Sequence, residues 1–306
     1  MSAFEIVLGG FLISALRSAT PLLFALLGET LTQRVGVINL GVEGQMLVGA
    51  MAGYGIAAIS GNPWLGLLAG AGAGVLLSTV HALLAVGAGA NQFASGLAVW
   101  MLGFGLSAYY GAALVGRKIE SFDSVYVGAL SGVPVIGSLL SGMTPTVLLG
   151  LVLVPVISLW FWRTRTGLRW RAVGESIDSA RAAGVRPRWI QVQGIVLGGL
   201  LSGLGGAALS VDYTRTWAEG MSAGRGLVAV GLVIVARWNP WYALPAALLF
   251  GAAEALSLRL QTADAAISAH LLHTLPYVVS VAVLTLTYLR SRDSGAPAGL
   301  KAVMDR

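Results

Sequence analysis

The sequence predicts an all-α integral membrane protein with about nine transmembrane helices (roughly eight to ten) in two inverted-topology halves. Three observations carry this. Hydrophobic residues make up 56% of the 306 positions, charged residues only 10%, and the mean hydropathy is +0.80. A soluble domain needs about a quarter of its positions charged. Glycine occurs 42 times, often four residues apart within apolar runs, as where helices approach closely in lipid. The tripeptide Asn-Pro-Trp occurs at Asn62-Pro63-Trp64 and again at Asn239-Pro240-Trp241, each time between two apolar runs.

Composition also excludes several classes. The formal charge is +6, but the arginines concentrate in a few loops, which marks topology rather than nucleic-acid binding. The chain has no cysteine, which excludes disulfides, thiol catalysis and thiolate metal sites. Met1 to Gly10 has neither a basic n-region nor a small-residue cleavage site, so no cleaved signal peptide is expected.

Taken in order, Phe4 to Leu31 is too long for one span and contains Arg17 and Pro21. It reads as a short interfacial helix followed by a first span from Ala19, with one long kinked helix as the alternative. Span two covers Leu40 to Ile59 and ends at the turn Ser60-Gly61-Asn62-Pro63. Span three covers Trp64 to Val86, with Gly70 and Gly74 on one face. Span four runs from Asn91-Gln92 to Leu114, and a Gly/Ser/Val-rich loop follows over 116–142. Span five is Thr144 to Trp162. Span six is Trp189 to Val211, with Gly199 and Gly203 as a small-residue pair. A short span seven, Gly226 to Ala236, stops at Arg237-Trp238-Asn239-Pro240. Spans eight and nine are Trp241 to Leu258 and Ala269 to Leu289.

Between spans five and six lies the strongly charged segment 163–188, with seven arginines against Glu175 and Asp178. The positive-inside rule makes it cytoplasmic. Counting onward puts the basic tail, 290–306, inside as well. Counting back puts Glu29 to Ile38 inside and Gly61-Asn62 outside. The chain is then a single transmembrane domain over 1–306, with halves at about 19–162 and 189–289 joined by the loop. Gly74 and Gly251 stand at equal distance from their Asn-Pro-Trp, and the two tripeptides fall on opposite sides, the pattern of an inverted repeat. That symmetry sets Glu43 and Arg225 at opposite faces of the membrane.

The stretch from Gly36 to Ala50 holds Asn39, Glu43 and Gln45 at the mouth of an apolar run. A carboxylate at membrane depth costs about 2.5–3.5 kcal/mol on insertion scales, so Glu43 is a functional candidate. An ordinary inner loop with a snorkelling Glu43 is the competing reading, and spacing leaves both open. The polar residues able to face a solute path are Asn39, Glu43, Gln45, Asn91, Gln92, Tyr213, Trp217 and Arg225. No Gly-x-x-x-x-Gly-Lys-Ser/Thr loop is present, so the chain has no such nucleotide site. His270 and His273 share a helix face but lack the further ligands a metal needs, so no metal site is expected. His81, alone in an apolar span, reads as a packing histidine or a pore contact. Within the loop, Ser176 as N-cap, Asp178 in the first turn, and Gly184 with Pro187 as stops define a helix from Ile177 to Ala183.

Gly36-Val37-Ile38-Asn39-Leu40-Gly41-Val42-Glu43-Gly44-Gln45-Met46-Leu47 resembles the signature of permease subunits of ATP-binding-cassette importers, in the family for branched-chain amino acids, ribose-type sugars and nucleosides. The Asn-Leu-Gly-x-Glu-Gly form is that of the nucleoside and simple-sugar subgroup. Gly167 to Glu175 is similar to the family's cytoplasmic loop, and Gly224 to Val230 with Arg237 to Pro240 to another of its motifs. The resemblance covers about Leu16 to Leu289. It departs after Gly174-Glu175, where the family's Asn-Pro is replaced by Ser176-Ile177; serine keeps the cap but the proline at the first helical position is lost.

The resemblance implies a transport subunit, not an enzyme, in a bacterial or archaeal cytoplasmic (inner) membrane with its C-terminus inside. It implies a second, non-identical permease and an extracellular solute-binding protein. A separate ATPase would carry ATP and Mg, leaving this chain without a cofactor. The implied solute is a nucleoside, with a simple sugar next. The implied ATPase-coupling residues are Arg169, Arg171, Gly174, Glu175, Ser176, Asp178, Ala180, Arg181 and Gly184, with small residues such as Ala180 seating in the partner's groove. The rival class is a self-sufficient ion-coupled carrier or channel using Glu43, Asp212 or Glu254.

Overall fold

The computed structural model describes residues 3–117, 119–125, 142–262, 268–290 and 295–300. Its elements are α1 (Ala3–Arg34), α2 (Val42–Ser60), α3 (Pro63–Ala82), α4 (Gln92–Gly111), α5 (Pro145–Arg163), α6 (Arg165–Glu175), α7 (Ile177–Ala182), α8 (Pro187–Ala207), α9 (Arg225–Val235), α10 (Pro240–Thr262) and α11 (Ala269–Arg290). π-helical turns extend α3 through Leu83–Gly87 and α8 through Ala208–Tyr213. Among the described residues, eight helices are long and apolar enough to cross a membrane, and α9, with 11 residues, is too short. The preferred break near Arg17 does not occur: α1 is one helix with Pro21 inside it. Proline removes one backbone donor and crowds the carbonyl four residues earlier. Packing on both sides of the site holds α1 together, since Ala19, Leu22 and Leu23 are all buried.

The most buried span is α8, packed against α1, α2 and α3. Glycine makes this possible. The expected Gly70/Gly74 and Gly199/Gly203 pairs face each other: a Cβ on Gly74 would fall 2.8 Å from Gly203 Cα, and one on Gly70 would fall 2.7 Å from Gly49 O. Small residues let backbones close to van der Waals distance, the main attraction available between helices in lipid.

Packing is reciprocal between the halves. α3 lies on α8 as α10 lies on α1; α2 contacts α8 and α4 as α9 contacts α1 and α11. Gly251 meets Ala19 as Gly74 meets Gly203. Asn62 and Asn239 cap their helices identically, accepting from Trp64 N at 2.9 Å and from Trp241 N at 3.1 Å.

Two non-helical stretches interrupt this arrangement, 35–41 before α2 and 214–224 before α9. Irregular backbone at membrane depth survives only where protein covers it, and 35–41 is buried apart from a half-buried Leu40. Both stretches lead to helices whose first turns lie against each other.

The arginine-rich segment forms two helices. α7 matches the expected one, with Ser176 Oγ accepting from Ser179 N at 3.2 Å. α6 went unanticipated, although Thr164 caps it, accepting from Gly167 N at 3.0 Å. Residues 295–300 rest on this loop, with Ala298 N donating to Glu175 Oε2 at 3.1 Å and Leu300 buried.

Candidate functional site: a mid-membrane polar junction

The site is built on the short helix. α9 ends on the loop side, where Arg237 and Trp238 adopt consecutive left-handed backbone conformations, φ 52° each. Such residues cost on the order of 1–2 kcal/mol apiece. Here Trp238 is held on both sides: its Nε1 donates to Gln33 Oε1 at 2.7 Å and its carbonyl accepts from Arg34 Nε at 2.6 Å. Eleven residues give about 16 Å of helical rise, so the N-terminus of α9 lies about that far from the loop-side end.

Glu43, in the first turn of α2, caps that N-terminus. Its Oε1 accepts from Ser222 Oγ at 2.5 Å and from Gly224 N at 2.8 Å, and its Oε2 from Gly226 N at 2.6 Å. A carboxylate satisfies donors that the helix itself cannot and complements the positive end of its dipole. The expectation that Glu43 and Arg225 occupy opposite faces is therefore overturned. Each half dips inward before its helix starts, and the two starts meet.

Beside the cap, Arg225 Nη2 pairs with Glu254 Oε1 of α10 at 2.5 Å. Ser18 Oγ donates to Glu254 Oε2 at 2.6 Å, and Tyr213 OH to Glu254 Oε1 at 3.4 Å. Tyr277 OH donates to Ala223 O at 2.5 Å. A cavity of about 360 Å³ opens on this network, lined by Arg225, Glu254, Ser257, His273, Tyr277 and Phe250, among others. Phe250 and Tyr277 stack edge to face with centroids 5.5 Å apart. Arg225 Nε is buried and unpartnered. On the other side of α10 a second cavity of about 300 Å³ is lined by Arg17, Tyr213 and Arg259. Arg17 lies 3.8 Å from Asp212, whose Oδ2 accepts from Thr144 and Thr146. These groups are of the kind that can hydrogen-bond hydroxyls and amides, and Phe250 and Tyr277 present aromatic faces beside them.

The other anticipated path residues lie elsewhere. Asn39, Gln45 and Gln92 belong to the inner dip. Gln92 Oε1 accepts from Ile38 N at 2.9 Å, and Asn39 Nδ2 donates to Gln45 Oε1 at 3.2 Å. His81 serves the same backbone: its Nε2 faces Ile38 O at 3.2 Å, which can only accept, so Nδ1 accepts from Ser95 Oγ at 2.7 Å. Asn91 is exposed and caps α4. Trp217 is buried with Tyr54 and Leu114. Glu29, expected in loop water, is fully buried, its Oε1 accepting from Gln33 Nε2 at 2.9 Å and from Asn39 N at 3.2 Å. Glu254, read from the sequence only as a coupling group of a self-sufficient carrier, is the carboxylate at the centre of this network. Ser18 and Tyr277 gave no sequence signal, and His273 was read only as part of a pair with His270, because only the fold brings them to this network.

Among the loop residues, Arg169, Glu175, Asp178, Arg181 and Gly184 are exposed, and Arg171 and Ser176 are half-buried. Gly174 is buried against Arg34. Ala180 is 2% exposed and joins the main core, so its small size serves this chain's own packing rather than a partner's groove.

Buried charge among apolar spans, non-helical entries and reciprocal halves define a multi-pass membrane transport protein. Residues 11–287 match the family described as branched-chain amino acid transport system / permease component. TsgC13 of Haloferax volcanii, by name a glucose ABC transporter permease protein, is 36% identical and aligns over 93% of each chain. The guanosine ABC transporter permease protein NupQ of Bacillus subtilis is 31% identical over 78% of this chain and 79% of its own. The nucleoside ABC transporter permease protein NupC of Lactococcus lactis is 31% identical over 88% and 89%. No solved structure matches. The chain belongs to the family of branched-chain amino acid transport system permease components and is a permease subunit of an ABC importer.

Proposed function

We propose that this subunit moves a nucleoside or simple sugar across a bacterial or archaeal cytoplasmic membrane, with the arginine-rich loop and the C-terminus inside. Solute passes the junction at Arg225 and Glu254, whose paired charges and aromatic wall suit a hydroxylated ring. A separate ATPase carrying ATP and Mg docks on α6 and α7, a second, non-identical permease completes the pathway, and an extracellular binding protein delivers the solute. The halves at about 19–162 and 189–289 move against each other around the junction.

One observation carries this reading: the loop and the junction share a core. Trp170, Val173 and Ala180 of the loop pack in one cluster with Leu31 and Val35 of the first half and with Ala229, Val233 and Trp238 around α9. Force applied at the loop therefore reaches the short helix whose far end bounds the cavity. The exposed face of α7 presents Ile177, 39% exposed, with Ser179 and Arg181.

The test is reconstitution of the chain with the ATPase that co-purifies from native membranes, and uptake of guanosine, glucose and ribose into vesicles. ATP-dependent uptake is expected. Uptake driven by an ion gradient without ATP would replace the importer with the self-sufficient carrier.

A further inference from the structure

Two cavities flank Trp189 at the loop-side end of α3 and α8, away from the junction. One, about 370 Å³, lies between α6 and the start of α8 and is lined by Arg169, Arg186, Trp170 and Gln193, among others. The other, about 260 Å³, runs between the end of α3 and α8 along Leu83, Val86 and Val192, with Arg188 in its wall. Trp189 belongs to both, and 62% of it is exposed. Among the described residues, none that lines either cavity is acidic. Arg169, Arg186 and Arg188 are exposed, and the described residues give them no ion-pair partner.

We propose that this pair of cavities binds one anionic phospholipid, its phosphate between Arg169 and Arg186 and an acyl chain along Leu83, Val86 and Val192. Charge complementarity picks the headgroup, because basic pockets at the cytoplasmic ends of spans attract anionic lipids. The apolar limb picks a lipid over a free anion, since inorganic phosphate has nothing to place there. Tryptophan between the two limbs fits the headgroup level, where an amphipathic ring is most stable. Arginines that only set topology need neither a cavity nor an apolar extension. The lipid would tie α6 to α8 and brace the loop against the bilayer.

The full-length chain in neutral detergent is titrated with phosphatidylglycerol, phosphatidylcholine or inorganic phosphate, and its thermal midpoint followed. Phosphatidylglycerol is expected to raise the midpoint by about 3 °C, the order expected for a ligand near ten times its Kd. The other two should leave it unchanged. The double variant Arg169→Gln/Arg186→Gln should lose the shift, as should Val86→Trp, which fills the apolar limb. Arg181→Gln, paired with Asp178 outside both cavities, should keep it. An equal shift with phosphatidylcholine or phosphate, no shift with phosphatidylglycerol, or a shift that survives in both site variants would overturn the proposal. Loss of ATPase co-purification in the double variant with the lipid shift intact would assign the arginines to the protein partner instead.

Discussion

Glu43 of α2 accepts a hydrogen bond from Gly226 N of α9 at 2.6 Å. This contact joins the two halves of the molecule where each half has just ended a non-helical dip. It closes one helix start with a charge carried by another.

Replacing Glu43 by Gln should therefore destabilise the chain. Three donors, Ser222 Oγ, Gly224 N and Gly226 N, share its two oxygens, and an amide offers only one acceptor. An unsatisfied buried group costs about 1–3 kcal/mol. A lower thermal midpoint and a large loss of uptake are expected. Glu29→Gln should be near neutral, because Glu29 Oε2 is buried without a partner while Oε1 makes both bonds. Equal midpoints for the two variants would remove the capping role from Glu43.

Steric closeness gives a second check on the same contact. A Cβ on Gly226 would stand 2.6 Å from Glu43 Cα. Gly226→Ala should reproduce the Glu43→Gln defect, whereas Gly231→Ala, with open space around it, should leave midpoint and uptake unchanged. Similar effects from both glycines would argue against close packing at the junction.

The Arg225–Glu254 pair should behave as a unit. Removing one partner strands a buried charge, at about 3–5 kcal/mol. Arg225→Gln and Glu254→Gln should each lower stability strongly, and the double variant should be less damaged than the sum of the singles. Strict additivity of the midpoints would mean that the two side chains do not interact.

On the loop, Ala180→Glu should perturb folding locally, since Ala180 is buried in the chain's own core. Ile177→Glu should do the reverse, leaving the thermal midpoint intact while ATPase co-purification and uptake fall. Retention of the ATPase by Ile177→Glu would move the docking surface off α7.

Orientation can be read directly because the chain has no cysteine of its own. Ser179→Cys and Ser60→Cys, both exposed, should label from opposite sides, with position 179 inside. Ser131, in the Gly/Ser/Val-rich loop, lies outside the described residues.

Much of this protein was legible in sequence, because lipid imposes simple rules. Long apolar runs bounded by Asn-Pro and arginine gave the spans, since backbone in a bilayer must satisfy its own hydrogen bonds. Paired glycines gave the packing faces, because close approach excludes a side chain whatever lies opposite. Ser176 gave α7, since capping is local chemistry. What sequence alone left undecided was depth. Glu29 and Glu43 read alike as residues near a loop, yet one serves the backbone of its own dip and the other caps a helix 179 to 183 positions away. Glu254 meets Ser18, Tyr213 and Arg225 because α10 lies on α1 and the π-helical turn ends at Tyr213. Ala180 looked available to a partner until the fold buried it. Such pairings depend on where helices cross, and the crossing is fixed by shape at glycine contacts distant in the chain. Only the assembled tertiary structure could decide them.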